Sequence, residues 1–173
     1  MVSTIIDTMH SLINSCTFSA EFYNNRAIGA SGGAIFFRNA AEGNQFEGIF
    51  TANYANQGGA IFFYNKANNN RFNSDFKSNM ANISGGAIVF FGATDGNNFT
   101  GSFINNSAWG ISSGDSVGNG GAITFTGVSS NCVFDCDFIN NTAAINGGAI
   151  DWIEGATFGN VSGSTFINNT ANC

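Results

Sequence analysis

The chain has 173 residues, with 23 glycines, 19 phenylalanines, no proline and only 9% charged residues. This length suits about one domain, and so apolar a composition argues against a disordered chain. The net charge is −6 and all lysines and arginines precede residue 78, so we expect no nucleic-acid partner, which would need clustered bases. No run of about 18 apolar residues occurs, so we expect no membrane-spanning helix.

The first 15 residues carry no repeat signature. Ile5 and Ile6 precede a polar stretch, and we interpret them as the remains of one strand of the repeat that follows. Residues 1–15 are therefore predicted to form a partial N-terminal coil or cap. The first residues lack a basic region followed by an apolar one, so no secretory signal is predicted in them.

Two short signatures alternate along the rest of the chain. Gly-Gly-Ala-Ile occurs at 32–35, 58–61, 85–88, 120–123 and 147–150, with an aromatic residue two positions after each isoleucine. Phe-x-x-Asn-x-Ala begins at Phe22, Phe50, Phe76, Phe103, Phe138 and Phe166. Successive copies of this second signature are 26 to 28 residues apart in four intervals and 35 apart in one. A repeat of this length indicates stacked supersecondary units.

Each repeat contains a pattern of large, small and large residues with a period of two. Phe72, Ser74 and Phe76 are one example, and the residues between them are polar. A period of two is typical of a strand with one buried face. In the Gly-Gly-Ala-Ile segment the isoleucine and the aromatic residue are expected to face inward and the alanine outward.

The repeats predict an all-β chain. Short one-sided strands in segments of this length favour a right-handed parallel β-helix, or β-solenoid, with one repeat per coil. We expect a single domain over 1–173, with about five to six coils of 26–28 residues. The longest interval is predicted to hold a surface loop insertion at 107–119, and residues 160–173 a partial C-terminal coil.

The asparagine of the second signature recurs once per coil. These residues are predicted to stack at one corner as a structural ladder, in which each amide bonds to its copies above and below. The ladder consists of Asn25, Asn53, Asn79, Asn106, Asn141 and Asn169. We expect them to adopt the left-handed conformation that a sharp corner needs. A second ladder is predicted at Asn44, Asn70, Asn97 and Asn160, with Cys16 and Cys132 in the same column.

Together, the two signatures resemble the repeat of the polymorphic outer membrane proteins of chlamydiae. A similar repeat is found in adhesin-like surface proteins of methanogenic archaea. The resemblance covers residues 18–171. It implies a right-handed parallel β-helix on a cell surface, with adhesion as the usual role. Architecture rather than a site defines these families, so the resemblance supplies no catalytic residue and no cofactor.

An apolar column is predicted on the outward side of the Gly-Gly-Ala-Ile strands. It comprises Phe36, Phe62 and Val89, and continues to Thr124 and Asp151. Exposed stacked phenylalanines indicate an interface, which makes these three residues the candidate binding site. A covering segment such as residues 1–15 is the alternative.

The two ends of the solenoid are a second candidate for interaction. If both terminal coils are incomplete, two chains stacked head to tail complete one coil between them, and repetition of that contact makes a filament. The expected partners are therefore further copies of the chain, or a glycan or protein of a host or cell surface. The alternative to a filament is a segment of a longer adhesin.

An enzyme that acts on polysaccharides is the rival class. Such an enzyme needs paired carboxylates, or a calcium cluster with a basic residue. The best acidic cluster is Asp135 and Asp137, near Asp75, and no base follows residue 77. We interpret these acids as solvated, with weak calcium binding as the alternative. For Trp152 between Asp151 and Glu154, an ordinary strand is the preferred interpretation and a small sugar platform is the alternative. We predict no catalytic residue and no metal, including at His10.

The four cysteines do not predict a disulfide framework. Cys16 and Cys132 share a column but stand four coils apart, about 19 Å at the usual strand spacing, which no bridge spans. Cys136 occupies an inward column of small residues and is predicted to be a buried core thiol. Cys173 is the last residue and is left free to reach another chain.

Overall fold

The computed structural model describes residues 5–6, 13–110, 118–157 and 159–172. Within these residues all regular structure is β, the strands are short, and every pairing is parallel. The fold is a parallel β-solenoid of six coils, which confirms the predicted fold class. No helix that would be able to cross a bilayer is found among the described residues.

The first three coils follow one another without a long loop. The first coil contains β1 (Ile5–Ile6), β2 (Ile13–Asn14), β3 (Thr17–Phe18), β4 (Glu21–Tyr23) and β5 (Arg26–Ala27). The second contains β6 (Ile35–Phe37), β7 (Ala41–Glu42), β8 (Gln45–Phe46), β9 (Ile49–Thr51) and β10 (Tyr54–Gln57). The third contains β11 (Ile61–Phe63), β12 (Ala67–Asn68), β13 (Arg71–Lys77) and β14 (Met80–Ser84).

The last three coils repeat this order. The fourth contains β15 (Ile88–Phe90), β16 (Thr94–Asp95), β17 (Asn98–Ile104) and β18 (Ser107–Ala108). The fifth contains β19 (Ile123–Phe125), β20 (Ser129–Ser130), β21 (Val133–Ile139) and β22 (Thr142–Ala143). The sixth contains β23 (Ile150–Trp152), β24 (Ala156–Thr157), β25 (Asn160–Val161), β26 (Thr165–Ile167) and β27 (Thr170–Ala171).

Every coil contributes to the same four sheets. Sheet A stacks the Gly-Gly-Ala-Ile strands in the order β1-β6-β11-β15-β19-β23, and sheet B has the order β2-β7-β12-β16-β20-β24. Sheet C carries the Phe-x-small-x-Phe segments and has nine strands, because coils one, two and six divide the segment into two strands. Sheet D has the order β5-β10-β14-β18-β22-β27 and carries the alanine of the second signature.

The N-terminal strand agrees with the interpretation of Ile5 and Ile6, whereas the C-terminal coil and the insertion differ from the expectation. Ile5 pairs with Ile35, so the N-terminal residues do supply a sheet A strand. The sixth coil also has strands in all four sheets, so residues 160–172 finish a coil and do not leave a partial one. The insertion begins later than predicted, because Ser107 and Ala108 keep the sheet D register with the fifth coil. Residues 111–117 lie outside the described residues.

The core consists of three columns of parallel phenylalanine rings. Two columns lie on sheet C: Phe46, Phe72, Phe99 and Phe134 form one, and Phe50, Phe76, Phe103 and Phe138 form the other. The third lies on sheet A and contains Phe37, Phe63, Phe90 and Phe125. Ring centroids within a column are 4.6 to 5.0 Å apart, and sheet A rings meet the first sheet C column edge to face. Each buried ring contributes about 1.5–3 kcal/mol to stability.

Two expectations were wrong: which residue is left-handed at each corner, and which way the alanine of Gly-Gly-Ala-Ile faces. The left-handed residue is the one that precedes each ladder asparagine, as at Asn24, Ala52, Ser78, Asn105, Asn140 and Asn168. The ladder side chain is thus free to point along the stack while its neighbour turns the chain. The alanine of Gly-Gly-Ala-Ile lies in the core and does not face outward; Ala87, for example, is fully buried. In each Gly-Gly pair the first glycine is left-handed, as Gly85 is, so the strand alternation does not extend back to the alanine.

Candidate functional site: the asparagine ladder and the faces of the solenoid

The predicted ladder residues form one continuous chain of hydrogen bonds. At Asn79 the backbone N–H and Nδ2 both donate to Asn106 Oδ1 at 3.0 Å. Nδ2 also donates to the Phe50 carbonyl oxygen at 2.8 Å. Asn79 Oδ1 in turn accepts from the backbone N–H and Nδ2 of Asn53, at 3.0 and 2.9 Å. The buried amide therefore has a partner for each of its hydrogens and both lone pairs, as a buried polar group requires.

The ladder has a direction, and its two ends differ. Asn25 donates to Asn53 Oδ1, but within the described residues nothing donates to Asn25 Oδ1. At the other end Asn169 Oδ1 accepts from Asn141, while Asn169 Nδ2 donates to the Phe138 carbonyl oxygen. The Asn169 backbone N–H and the second Nδ2 hydrogen have no acceptor among the described residues. One end of the solenoid thus presents an acceptor and the other presents donors.

The second ladder is shorter than predicted. Asn44 bonds to Asn70, and Asn70 to Asn97, with the same geometry as in the main ladder. The Cys16 backbone N–H donates to Asn44 Oδ1 at 3.0 Å. Asn160 was wrongly assigned to this column, because it pairs in register with Val133, one position beyond Cys132. The ladder ends at Asn97, since the thiol of buried Cys132 cannot replace an amide.

The C-terminal end of the solenoid exposes a cross-section of the core. Trp152 stacks on Phe125 at 5.7 Å, and Phe166 on Phe138 at 4.8 Å, so both continue inner columns. Val161 follows Phe134 in register. Phe166 is 48% exposed, and a cavity of about 410 Å³ lies between these side chains and Asn169. Apolar surface is open on this face.

The N-terminal end carries the first rings of the two sheet C columns. Phe18 stacks on Phe46 at 4.9 Å, and Phe22 on Phe50 at 4.5 Å. Both phenylalanines are only partly buried, in contrast to the fully buried rings of the middle coils. The two end faces therefore present the same two sheet C columns, and each of these two columns begins and ends in an apolar side chain.

The column on sheet A that was expected to be exposed is buried at Phe62 and Val89 and half-buried at Phe36, so the prediction of an exposed column was wrong. Phe62 and Val89 are 3% and 0% exposed, and Phe36 stacks on Phe62 at 5.4 Å. The Gly-Gly turns cover the column, since a Cβ at Gly85 would overlap Val89 Cγ2. Thr124 is buried in the same way and donates to the Asn119 carbonyl oxygen at 2.8 Å.

Two exposed aromatic side chains stand beside this column instead. Tyr64 and Phe91 are parallel, with centroids 5.5 Å apart, and both are in contact with Phe62. Each follows an inward phenylalanine at the end of a sheet A strand. The strand alternation therefore indicates their outward direction, although neither residue was among the predicted site residues.

The carboxylates on sheet C are ordinary surface groups. Burial opposes the ionisation of Asp75, but hydrogen bonds from Lys77 at 2.8 Å and Ser102 at 2.6 Å outweigh it and hold the Asp75 pKa below its usual value. Asp137 follows Ser102 in the same column, so it lies two coils from Asp75. Asp135 is exposed. A carboxylate that is held ionised does not suit a general acid, which needs a raised pKa.

The other titratable groups lie apart from this cluster. Burial raises the pKa of Asp151, which is on sheet A. Burial also raises the pKa of Cys136 to about 12, and this thiol is buried as predicted. Among the described residues, no group of three or more histidine, cysteine, aspartate or glutamate side chains lies together as a possible metal site. His10 and Cys173 lie outside the described residues.

The two tryptophans differ in their exposure. Trp152 turns into the core, stacks on Phe125 and meets Phe134 edge to face, so it is not a platform between Asp151 and Glu154. Trp109 is 55% exposed on the outer face of sheet D. It stands at the start of the insertion, outside the repeat pattern, so no repeated motif predicted its exposure.

One known family of repeats matches part of this chain. Residues 135–151 match the family described as the Chlamydia polymorphic membrane protein (Chlamydia_PMP) repeat. Neither the curated proteins nor the solved structures yield a match to this chain. The match confirms the resemblance of the repeat, and it runs from within β21 through β22 to the start of β23. The repeat and the β-solenoid fold are consistent with an adhesin-like protein of the cell surface, and the repeat family is one of non-enzymatic surface proteins.

Proposed function

We propose that this chain is a non-enzymatic structural module of an adhesive cell-surface protein, and that its end faces stack head to tail with further copies. The observation that carries the proposal is the complementarity of the ladder ends. Asn169 offers an N–H and an Nδ2 hydrogen, and Asn25 offers Oδ1. A second copy placed one coil further along satisfies both with the geometry that already links Asn141 to Asn169.

The apolar columns support the same register. In such a stack Phe166 lies against Phe22 of the next copy, and Val161 against its Phe18. The centroid spacing would continue at 4.5 to 5.0 Å, as within the chain. The contact removes the exposed part of Phe166 and the cavity beside it from water, which is favourable by about 25 cal/mol per Å² of apolar area.

The edge strands support it as well. At both ends of the solenoid, each sheet finishes in an edge strand whose outer side has no partner strand among the described residues. Such edges are templates for a further chain. Because every pairing in the solenoid is parallel, a second copy extends all four sheets without a change of direction. Such a contact is heterologous and does not close, so its repetition produces a filament.

The charge distribution bears on whether chains meet head to tail or tail to tail. The chain has five acids and five bases before residue 78, and six acids with no base after it. A tail-to-tail contact would bring two acidic halves together, whereas a head-to-tail contact places an acidic half against a neutral one. Like charges in contact are unfavourable. The uneven charge therefore disfavours tail-to-tail contacts relative to head-to-tail stacking.

Two matched substitutions test the proposal. Phe166→Asp places a charge on the end face, whereas Ile167→Asp places the same charge on the next residue, which is similarly exposed at 44% but points to the lateral face of sheet C. We expect sedimentation velocity to show association that grows with concentration for the natural chain and for Ile167→Asp, and monomers for Phe166→Asp. Equal behaviour of the two variants, or a monomeric natural chain at all concentrations, would contradict the proposal.

A further inference from the structure

The outer face of sheet D carries a column of hydroxyl groups beside one exposed tryptophan. Ser107, Thr142 and Thr170 pair in register over the last three coils. In the same coils the residue after the inward alanine is Trp109, Ala144 or Asn172, and each of these donates its backbone N–H to the preceding coil. The indole of Trp109 therefore has a small side chain next to it along the stack and an amide beyond that.

Trp109 is held in place although it is exposed. Its Nε1–H donates to Ser107 Oγ at 2.8 Å, and its backbone N–H donates to the Ala81 carbonyl oxygen at 2.9 Å. The indole thus has its polar atom satisfied while 55% of the residue faces solvent. A ring fixed before binding loses little conformational entropy when a ligand packs on it.

A cleft opens beside this ring. Its volume is about 200 Å³, and Ser107, Ala108, Trp109, Thr142, Ala144 and Asn172 line it. The lining combines one aromatic surface with hydroxyl and amide groups that both donate and accept hydrogen bonds. No lining residue is charged. The space suits one ring of a ligand that is apolar on its face and hydroxylated at its rim.

We infer that this cleft binds a neutral hexopyranose unit of a glycan, with the sugar's C–H face on the Trp109 indole and its hydroxyl groups toward Thr142 and Asn172. A pyranose combines an apolar face with a polar rim, which matches this lining. A sugar acid is disfavoured, because no lysine or arginine follows residue 77. The inference rests on the proposed adhesive function and supplies its ligand class.

The test uses the fact that the chain has two tryptophans. Trp152→Phe leaves Trp109 as the single tryptophan, so its emission reports on the cleft. The probes are the methyl glycosides of glucose, galactose, mannose and N-acetylglucosamine, with their short oligomers and with methyl glucuronide as the acidic control. We expect a saturable change in emission with at least one neutral sugar and none with the acid.

Two further variants separate the cleft from the rest of the surface. Ala144→Leu fills the cleft without altering the indole and should weaken binding at least about tenfold, a difference of about 1.4 kcal/mol. Ala30→Leu, the same change at an exposed position in the first coil, should leave it unchanged. Calorimetry with Trp109→Ala provides a second readout. No emission change with any neutral sugar, or equal affinity in Ala144→Leu, would overturn the inference.

The outcomes also separate this inference from the proposed assembly. The sugar titrations are made at concentrations at which sedimentation shows monomers. Sugar binding without association would remove head-to-tail stacking and leave the cleft. Association without sugar binding would remove the cleft and leave the assembly.

Discussion

Removal of one ladder amide from the middle of the stack should be far more costly than removal of the same amide from its start. Asn79→Ala deletes the Oδ1 that accepts two hydrogen bonds from Asn53 and the Nδ2 that donates to the Phe50 carbonyl oxygen. Both asparagines are fully buried. Water therefore cannot replace the lost partners without opening the coil.

The magnitude follows from the number of groups left without a partner. Asn53 keeps two buried donors, its backbone N–H and one Nδ2 hydrogen, that no longer have an acceptor. Each buried unsatisfied group costs about 1–3 kcal/mol, so the loss is about 2–6 kcal/mol. This is a large part of the roughly 5–15 kcal/mol by which a domain is stable.

Asn25→Ala is the matched control. Nothing among the described residues donates to Asn25 Oδ1, and Asn53 Oδ1 keeps the backbone N–H of residue 25. The substitution therefore removes one hydrogen bond and orphans no donor, at a cost of about 0.5–1.5 kcal/mol. Urea unfolding followed by circular dichroism measures both variants. The reasoning fails if Asn79→Ala lowers the free energy of unfolding by no more than Asn25→Ala does.

Four further predictions concern the glycine column, the reactivity and pH dependence of the buried thiol, and the surface ion pair. Gly86→Ala should prevent folding of the central coils, because the new Cβ would overlap the Gly121 carbonyl oxygen, whereas Gly159→Ala, with its nearest atom at 3.5 Å, should leave the melting temperature nearly unchanged. Cys136 should resist a thiol reagent at pH 8 while exposed Cys16 reacts, as mass spectrometry would show. Because burial raises the Cys136 pKa from 9.0 to about 12, its contribution to stability is complete below pH 9 and should decline as the pH rises toward 12. Lys77→Met should raise the Asp75 pKa, measured by NMR titration, because it removes the cation and hydrogen bond that oppose the effect of burial; an unchanged Asp75 pKa would refute the role of Lys77.

The columns of the solenoid were predictable because each is written in the sequence at a fixed spacing. Residues such as Phe76 and Asn79 recur at nearly the same interval in every coil, so a column follows from counting alone. The register error arose in the sixth coil, where the expected phenylalanine is missing from the repeat. Asn160 was placed one position away from its true column because the sixth coil has Val161 where earlier coils have phenylalanine.

The remaining errors concern contacts that spacing does not encode. The burial of Phe62 and Val89 depends on Gly-Gly turns that lie over the outer side of sheet A. The completeness of the sixth coil depends on short strands, such as β24 and β25, whose residues lack the signature. Trp109 begins an insertion and occurs in one coil only, so no repetition indicated its exposure.

Electron microscopy of the purified chain at rising concentration tests head-to-tail stacking most directly. We predict unbranched filaments with an axial repeat of about 29 Å, the height of six coils at the usual strand spacing of about 4.8 Å. Phe166→Asp should abolish the filaments and Ile167→Asp should preserve them. Single particles of monomer size at every concentration would contradict head-to-tail stacking.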